Sequence, residues 1–217
     1  MSNRPFLDQL FGFCLKNRNR IIFLFKLWYG LLIILLLIGG RSLYYLDTYS
    51  ATFYTLGTDC GRLALIFYIL TTIPGITKRF GLQHRLIQII LLFRRYLGIS
   101  VYMLLIVHFS FMELIPSVLK GFFRFPPPLF ELFGITAATL LFFMFITSND
   151  ISTKLLGKWW WILHKVTYAI IWLIFFHVLL QRVSIWSVLI GITAVLQVGS
   201  HIYSRRINQQ STQVPVV

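Results

Sequence analysis

Acidic residues are scarce in this chain: 6 Asp+Glu stand against 20 Lys+Arg among 217 residues, a formal net charge of +14. Neither Glu113 nor Glu131 pairs with another carboxylate inside an apolar stretch, which excludes an intramembrane carboxylate proton relay. There are 2 cysteines, Cys14 and Cys60, with no CxxC, no CxxCH and no cysteine cluster. That excludes covalent haem attachment and a thiolate-held cluster. No P-loop and no GxGxxG after a strand occurs, and no soluble α/β domain is evident to hold NAD or FAD. There is no convincing internal repeat, so a duplicated transporter architecture is unsupported.

Long apolar runs are what the chain has in abundance. It is 58% hydrophobic, with a mean hydropathy of +0.79. A soluble domain of this size does not have such a composition. The length suits about six membrane helices of ~20 apolar residues each. The pI near 10.2 therefore reflects the positive-inside bias and contact with anionic lipid rather than nucleic-acid binding.

The expected organisation follows in chain order. Residues 1–20 carry Phe6, Leu7, Leu10, Phe11 and Phe13 at roughly helical spacing, which predicts a short interfacial helix; a solvated tail is the alternative. The first span covers 21–38, where Lys26 can snorkel. With no small-x-small cleavage site, it is expected to be retained rather than removed as a signal peptide. A Tyr-, Ser- and Thr-rich loop covers 41–59. Span two starts near Gly61-Arg62 and ends at Pro74-Gly75. The next loop, with Lys78, Arg79, Arg85, Arg94 and Arg95, is the strongest cytoplasmic signal.

Span three covers 96–112. Loop three, 113–130, is rich in Phe and contains Pro126-Pro127-Pro128; it is expected along the outer interface as a lid. Span four covers 132–146, span five 155–180 and span six 185–203. Residues 205–217 read as a disordered cytoplasmic tail. The expected fold is therefore all-α: an integral membrane bundle of six transmembrane helices over 21–204, with both termini cytoplasmic. Cys14 and Cys60 then lie on opposite sides and cannot pair.

Three histidines fall inside apolar spans, and intramembrane ionisable residues are functional candidates by default. His108 lies fourteen residues beyond Arg94, roughly 20 Å along its helix; His177 lies thirteen beyond His164, a similar rise. Spans three and five run in the same direction, so His108 and His177 reach matched depths in the outer half. That is the arrangement of two axial ligands on one haem between two helices, non-covalent and b-type. The alternative is two buried histidines bonded to neighbouring helices.

His164 lies near the inner surface, and on an ideal helix it is roughly 140° from His177. Span three offers Arg94 and Arg95 at that depth instead of a histidine. His84, expected as a solvated loop residue, and His201, expected at the interface, are possible partners for it. A second haem, a flavin such as FMN, a quinone or a haem propionate are open partners for His164. Arg62 has the chemistry to hold an outer propionate, and Arg94 and Arg95 that of an inner cofactor; the alternatives are snorkelling and topology-setting arginines.

These residues form a recognisable pattern. Arg94-Arg95-Tyr96-Leu97-Gly98 followed by His108 resembles the RRxLG…H pattern of ferric-reductase-like transmembrane domains. Thr147-Ser148, Leu156-Gly157, Trp160, Leu163-His164, Tyr168 and His177 resemble TS…LG..W..LH…Y…H at the same spacing, and Gly61-Arg62 resembles the GR opening span two. Within that group the sequence looks closest to the MsrQ (YedZ)-like haem-binding membrane subunits of the bacterial methionine-sulfoxide reductase system. The resemblance covers about residues 58–180. It departs in a span two about two residues shorter before its proline, and in the Phe- and Pro-rich loop three.

The resemblance implies a six-helix b-type cytochrome of the bacterial inner membrane. It would pass electrons from a cytoplasmic flavin reductase or the quinone pool to a periplasmic molybdopterin-type reductase that repairs oxidised methionine. The family histidines map onto His108, His164 and His177. The competing expectations are a free-standing ferric or oxygen reductase and a non-redox structural membrane protein.

Overall fold

The computed structural model describes residues 4–44 and 51–212. Parts of the expected 41–59 loop and of the expected tail lie outside the described residues, as do residues 1–3. The described chain is entirely helical: α1 (Arg4–Lys16), α2 (Arg18–Tyr44), α3 (Ala51–Arg79), α4 (Arg85–Phe109), a π-helical turn (Ser110–Leu114), α5 (Ile115–Lys120), α6 (Leu129–Ile146), α7 (Asp150–Leu156), α8 (Lys158–His164), α9 (Thr167–Gln181) and α10 (Ile185–Thr212). Six segments are long and apolar enough to cross a membrane. The protein is a multi-pass membrane helical bundle.

Helices α3, α4, α6, α9 and α10 close into a ring, each packed on the next, and α2 lies outside against α4. The ring has two distinct ends. Lys78, Arg79, Arg85 and Lys158 sit at helix termini of one, the basic end, and Arg205 lies along the last third of α10. The aromatic contact Phe80–Tyr203 at 5.3 Å and the Arg85–Asp8 ion pair bring α10 and α1 to that same end. The other end carries the α3 N-terminus, the 121–128 connection and the 182–184 turn.

Lipid tails are as apolar as leucine, so close fit rather than water exclusion holds such a ring together. Gly57 and Gly61 form a GxxxG on α3 and let its backbone approach α4. A Cβ on Gly57 would sit 2.9 Å from the Cβ of Phe111. On α10, a Cβ on Gly191 would sit 2.9 Å from the Phe175 ring. Between the ends, Leu65, Tyr68, Val101, Ala137, Leu141, Ile170, Ile171, Ile190 and Ala194 form one buried cluster drawn from all five ring helices.

Several expected boundaries are corrected. Span two does not begin at Gly61 or stop at Pro74: α3 starts ten residues earlier and runs through the proline to Arg79. Its polar first turns hold because Thr55 and Thr58 donate back to the carbonyls of Ala51 and Tyr54 at 3.0 and 2.9 Å. Pro74 removes one backbone donor. Around it, Thr71, Thr72 and Thr77 hydroxyls bond the carbonyls of Tyr68, Ile69 and Ile73 at 2.7, 2.7 and 3.0 Å.

Span three likewise continues past Met112. Pro116 cannot donate to the carbonyl four residues before it. The helix widens just upstream, where the Ile115 N–H bonds the carbonyl of Ser110, five residues back. The helical path then resumes to Lys120 and stops at Gly121, whose φ of 64° suits glycine. The expected long loop three therefore shrinks to 121–128. Helix α10 runs to Thr212, so the expected disordered tail from 205 is helical as far as it is described.

Span five is not one helix. It breaks at Lys165-Val166, where Val166, Tyr168 and Ala169 donate three residues back at 3.0, 3.0 and 2.8 Å. The Tyr68 hydroxyl donates to the Thr167 carbonyl at 2.7 Å beside this break. A 3₁₀ turn advances about 120° per residue against about 100° in an α-helix. The tightened stretch moves His164 and His177 toward a common face, closer than the roughly 140° of an ideal helix.

Candidate functional site

His108 on α4 and His177 on α9 meet at the end opposite the basic one. Their ring centroids are 6.5 Å apart and the planes are nearly perpendicular, at 83°. Each ring is fixed in the same way. The Nδ1 of His108 bonds the carbonyl of Gly57 at 2.8 Å, and the Nδ1 of His177 bonds the carbonyl of Phe130 at 2.7 Å. A carbonyl only accepts, so both Nδ1 atoms carry the proton. Neither Nε2 makes a hydrogen bond among the described residues, which leaves both open to a ligand.

A glycine lies four residues beyond each accepting carbonyl. A Cβ on Gly61 would fall 2.7 Å from Nδ1 of His108, and one on Gly134 would fall 2.6 Å from Nδ1 of His177. Any side chain there would push the imidazole away. The histidines thus sit in matched cradles, one built by α3 and one by α6: a carbonyl to hold the ring, and a glycine one turn on to admit it.

Two imidazoles whose Nε2 atoms are unbonded, one on α4 and one on α9, would suit a metal held between these helices. Among the described residues no group of three or more His, Cys, Asp or Glu side chains converges. A tetrahedral zinc site asks for three or four protein ligands. Haem iron asks the protein for only one or two. Carbonyl bonds to the far ring nitrogen are the usual way a ligating histidine is oriented and made more basic.

The other expected site residues are elsewhere. His164 does not join the pair: it lies at the C-terminus of α8, stacked on Trp160 with centroids 4.0 Å apart. Its Nε2 contacts the Thr147 hydroxyl at 3.2 Å, and Trp160 Nε1 donates to the Thr147 carbonyl at 2.9 Å. No second histidine meets it. His201 instead packs edge-on against Tyr168, 4.7 Å between centroids. His84 caps α4, its Nδ1 accepting from the Leu86 N–H at 3.4 Å.

Arg62 is exposed one residue from Gly61, ion-paired with Asp59 at 3.0 Å and 5.8 Å from the centre of the Trp186 ring. Arg95 is tied to Asp150 at 2.6 Å, and its guanidinium holds the Asp150 carboxyl below the usual carboxylate range. Arg94 makes no ion pair among the described residues and lies within electrostatic reach of Tyr168 and Arg79. Cys14 and Cys60 are both free.

Sequence reasoning missed the Gly57 and Phe130 carbonyls and the role of Gly134. The available signal was a glycine within a neighbouring span, since only glycine lets a ring lie against a helix backbone.

No curated protein and no solved structure is significantly similar to the chain. A family model does match: the ferric reductase like transmembrane component, over residues 60–176. That stretch takes in Gly61, His108, Gly134 and His164, and it ends one residue before His177. It covers more than half of the chain, which therefore belongs to the ferric reductase like transmembrane component family.

Proposed function

We propose that this protein is the membrane electron-transfer subunit of an oxidoreductase system, holding one b-type haem between His108 and His177. The observation that supports it is the pair itself: two imidazoles 6.5 Å apart, each bonded through Nδ1 to a helix carbonyl. Haem, when bound, supplies a one-electron redox centre. The chain's residues do the rest. The carbonyls of Gly57 and Phe130 keep each Nδ1 protonated and each Nε2 free to ligate. Gly61 and Gly134 set the depth of the rings. The apolar cluster around Ile170 and Ile171 keeps water out of the space between the pair and the basic end.

The basic end faces the cytoplasm under the positive-inside rule, so the histidine pair lies in the outer half of the bacterial inner membrane. Electrons enter from a cytoplasmic flavin reductase or quinol and leave to a periplasmic reductase, of the molybdopterin type that repairs methionine sulfoxide. His164, stacked on Trp160, and Arg94 are the residues suited to a second cofactor, FMN, quinone or haem, near the inner face.

The test is transport across a bilayer. In vesicles with reduced flavin on one side and impermeant ferricyanide on the other, the wild-type protein carries electrons across. His108→Ala carries none above the protein-free leak. Equal rates for the two would end this reading. The family description favours a second reading, a free-standing ferric reductase. Reduction of ferric citrate from reduced flavin by the purified chain alone would support it; a requirement for a partner enzyme supports the subunit.

A further inference from the structure

At the basic end, Arg79 and Arg94 make no ion pair with any described carboxylate. Arg79, at the C-terminus of α3, donates from Nη2 to the Tyr168 hydroxyl and from Nη1 to Ser200 Oγ at 3.1 Å. Its guanidinium carbon lies 5.3 Å from the centre of the Tyr168 ring. The His201 ring packs edge-on against the same Tyr168 ring, 4.7 Å between centroids. Arg94 from α4 lies close enough to interact with both Arg79 and Tyr168, and Arg205 close enough to interact with His201. Three ring helices thus bring one guanidinium, two hydroxyls and an imidazole together, with Arg94 of α4 within electrostatic reach.

The described acids are all committed elsewhere. Asp8 pairs with Arg85, Asp59 with Arg62 and Asp150 with Arg95. Glu113 is bonded to Ser117 and, with Glu131, belongs to the opposite end. Arg79 is held only by neutral hydroxyls, and Arg94 has no hydrogen bond or ion pair among the described residues. Like charges kept together at a membrane boundary repel more strongly than in water, unless an anion joins them.

We propose that Arg79 and Arg94, with Tyr168, Ser200 and His201, form a binding site for a phosphate group between α3, α4, α9 and α10. Planar guanidinium forks bind phosphate oxygens in pairs, and the Tyr and Ser hydroxyls already orient one fork. Basic pockets between transmembrane helices are a recognised form of headgroup site. The phosphate can come from an anionic lipid headgroup or from a free phosphate ester. The site shares Arg94 with the second-cofactor reading, but none of its residues touches His108 or His177, so its failure leaves the haem pair untouched.

The experiment is native mass spectrometry of the full chain, titrated in detergent with phosphatidylglycerol, with phosphatidylcholine, and with glycerol phosphate. Wild type retains one phosphatidylglycerol or one glycerol phosphate at low excess and does not retain phosphatidylcholine. Retention of the first alone assigns the site to a lipid headgroup; retention of both assigns it to phosphate esters generally. Arg79→Gln with Arg94→Gln weakens retention at least tenfold. Arg79→Lys, which keeps the charge and loses the fork, weakens it less. Lys154→Gln with Lys158→Gln, which removes as much charge from the same end, leaves it unchanged. Retention of neither anion by wild type, or equal losses in the arginine and lysine pairs, would overturn the proposal.

Discussion

At the scale of single residues, the histidine cradle makes the sharpest demand. Neither glycine is needed for its backbone angles; both are needed for space. Adding one methyl to Gly61 or Gly134 forces an imidazole to move or its helix to shift, an overpacking that costs about 1–3 kcal/mol. Gly61→Ala and Gly134→Ala are each expected to lower the haem-to-protein ratio measured by pyridine haemochrome, and to lower Tm. Gly98→Ala, where a Cβ meets nothing within 4 Å, is expected to change neither. Much of this residue-level picture was open to sequence reasoning. Counting the rise from Arg94 to His108 and from His164 to His177 put one pair at a common depth, and the rings do meet. The carbonyls of Gly57 and Phe130 were not legible, because a backbone acceptor leaves no mark on residue identity. The isolation of His164 was half legible: arginine stands on span three where a partner histidine would be needed.

At the scale of elements, the breaks and ends carry the testable energetics. The Tyr68 hydroxyl reaches from α3 to the Thr167 carbonyl at the α8–α9 break. Tyr68→Phe leaves that half-buried carbonyl less satisfied and is expected to cost about 1 kcal/mol, read as a lower Tm with an unchanged helix content by circular dichroism. The Arg95–Asp150 pair ties the start of α7 to α4. Its carboxyl is depressed below the unfolded value of about 3.9, so the contribution is fully present above that pH and is lost as pH falls through the lower, folded value. The Tm difference between wild type and Asp150→Asn is therefore expected to be constant from neutral pH down to about pH 4 and to vanish below it. Elements were legible as apolar runs and illegible at their ends. The polar first turns of α3 and Pro74 read as boundaries, yet α3 runs through both, and one widened turn carries the helical path past Met112.

At the scale of the whole molecule, charge asymmetry and topology define direction. Six spans return α1 and the end of α10 to one end, where the basic residues gather. Orientation is checked by cysteine labelling in intact cells, with Cys14 and Cys60 replaced by Ser. Lys154→Cys is expected to react with an impermeant maleimide only after the cytoplasmic face is opened, and Lys120→Cys without opening it. The reverse pattern would put the histidine pair on the cytoplasmic side and invert the proposed electron path. The bundle and its family were legible from composition and motif. Electron donor and acceptor were not, because their contacts lie with other molecules and leave no internal constraint on the helices.

The central claim is that His108 and His177 are the axial pair of one haem. The most direct measurement is an oxidised-minus-reduced visible spectrum of the detergent-purified protein, beside His108→Ala, His177→Ala and His164→Ala. A low-spin b-type spectrum in the wild type, lost in the first two variants and kept in the third, is the predicted result. A wild-type protein that takes up no haem under ample supply, or a spectrum that survives loss of either His108 or His177, would contradict it.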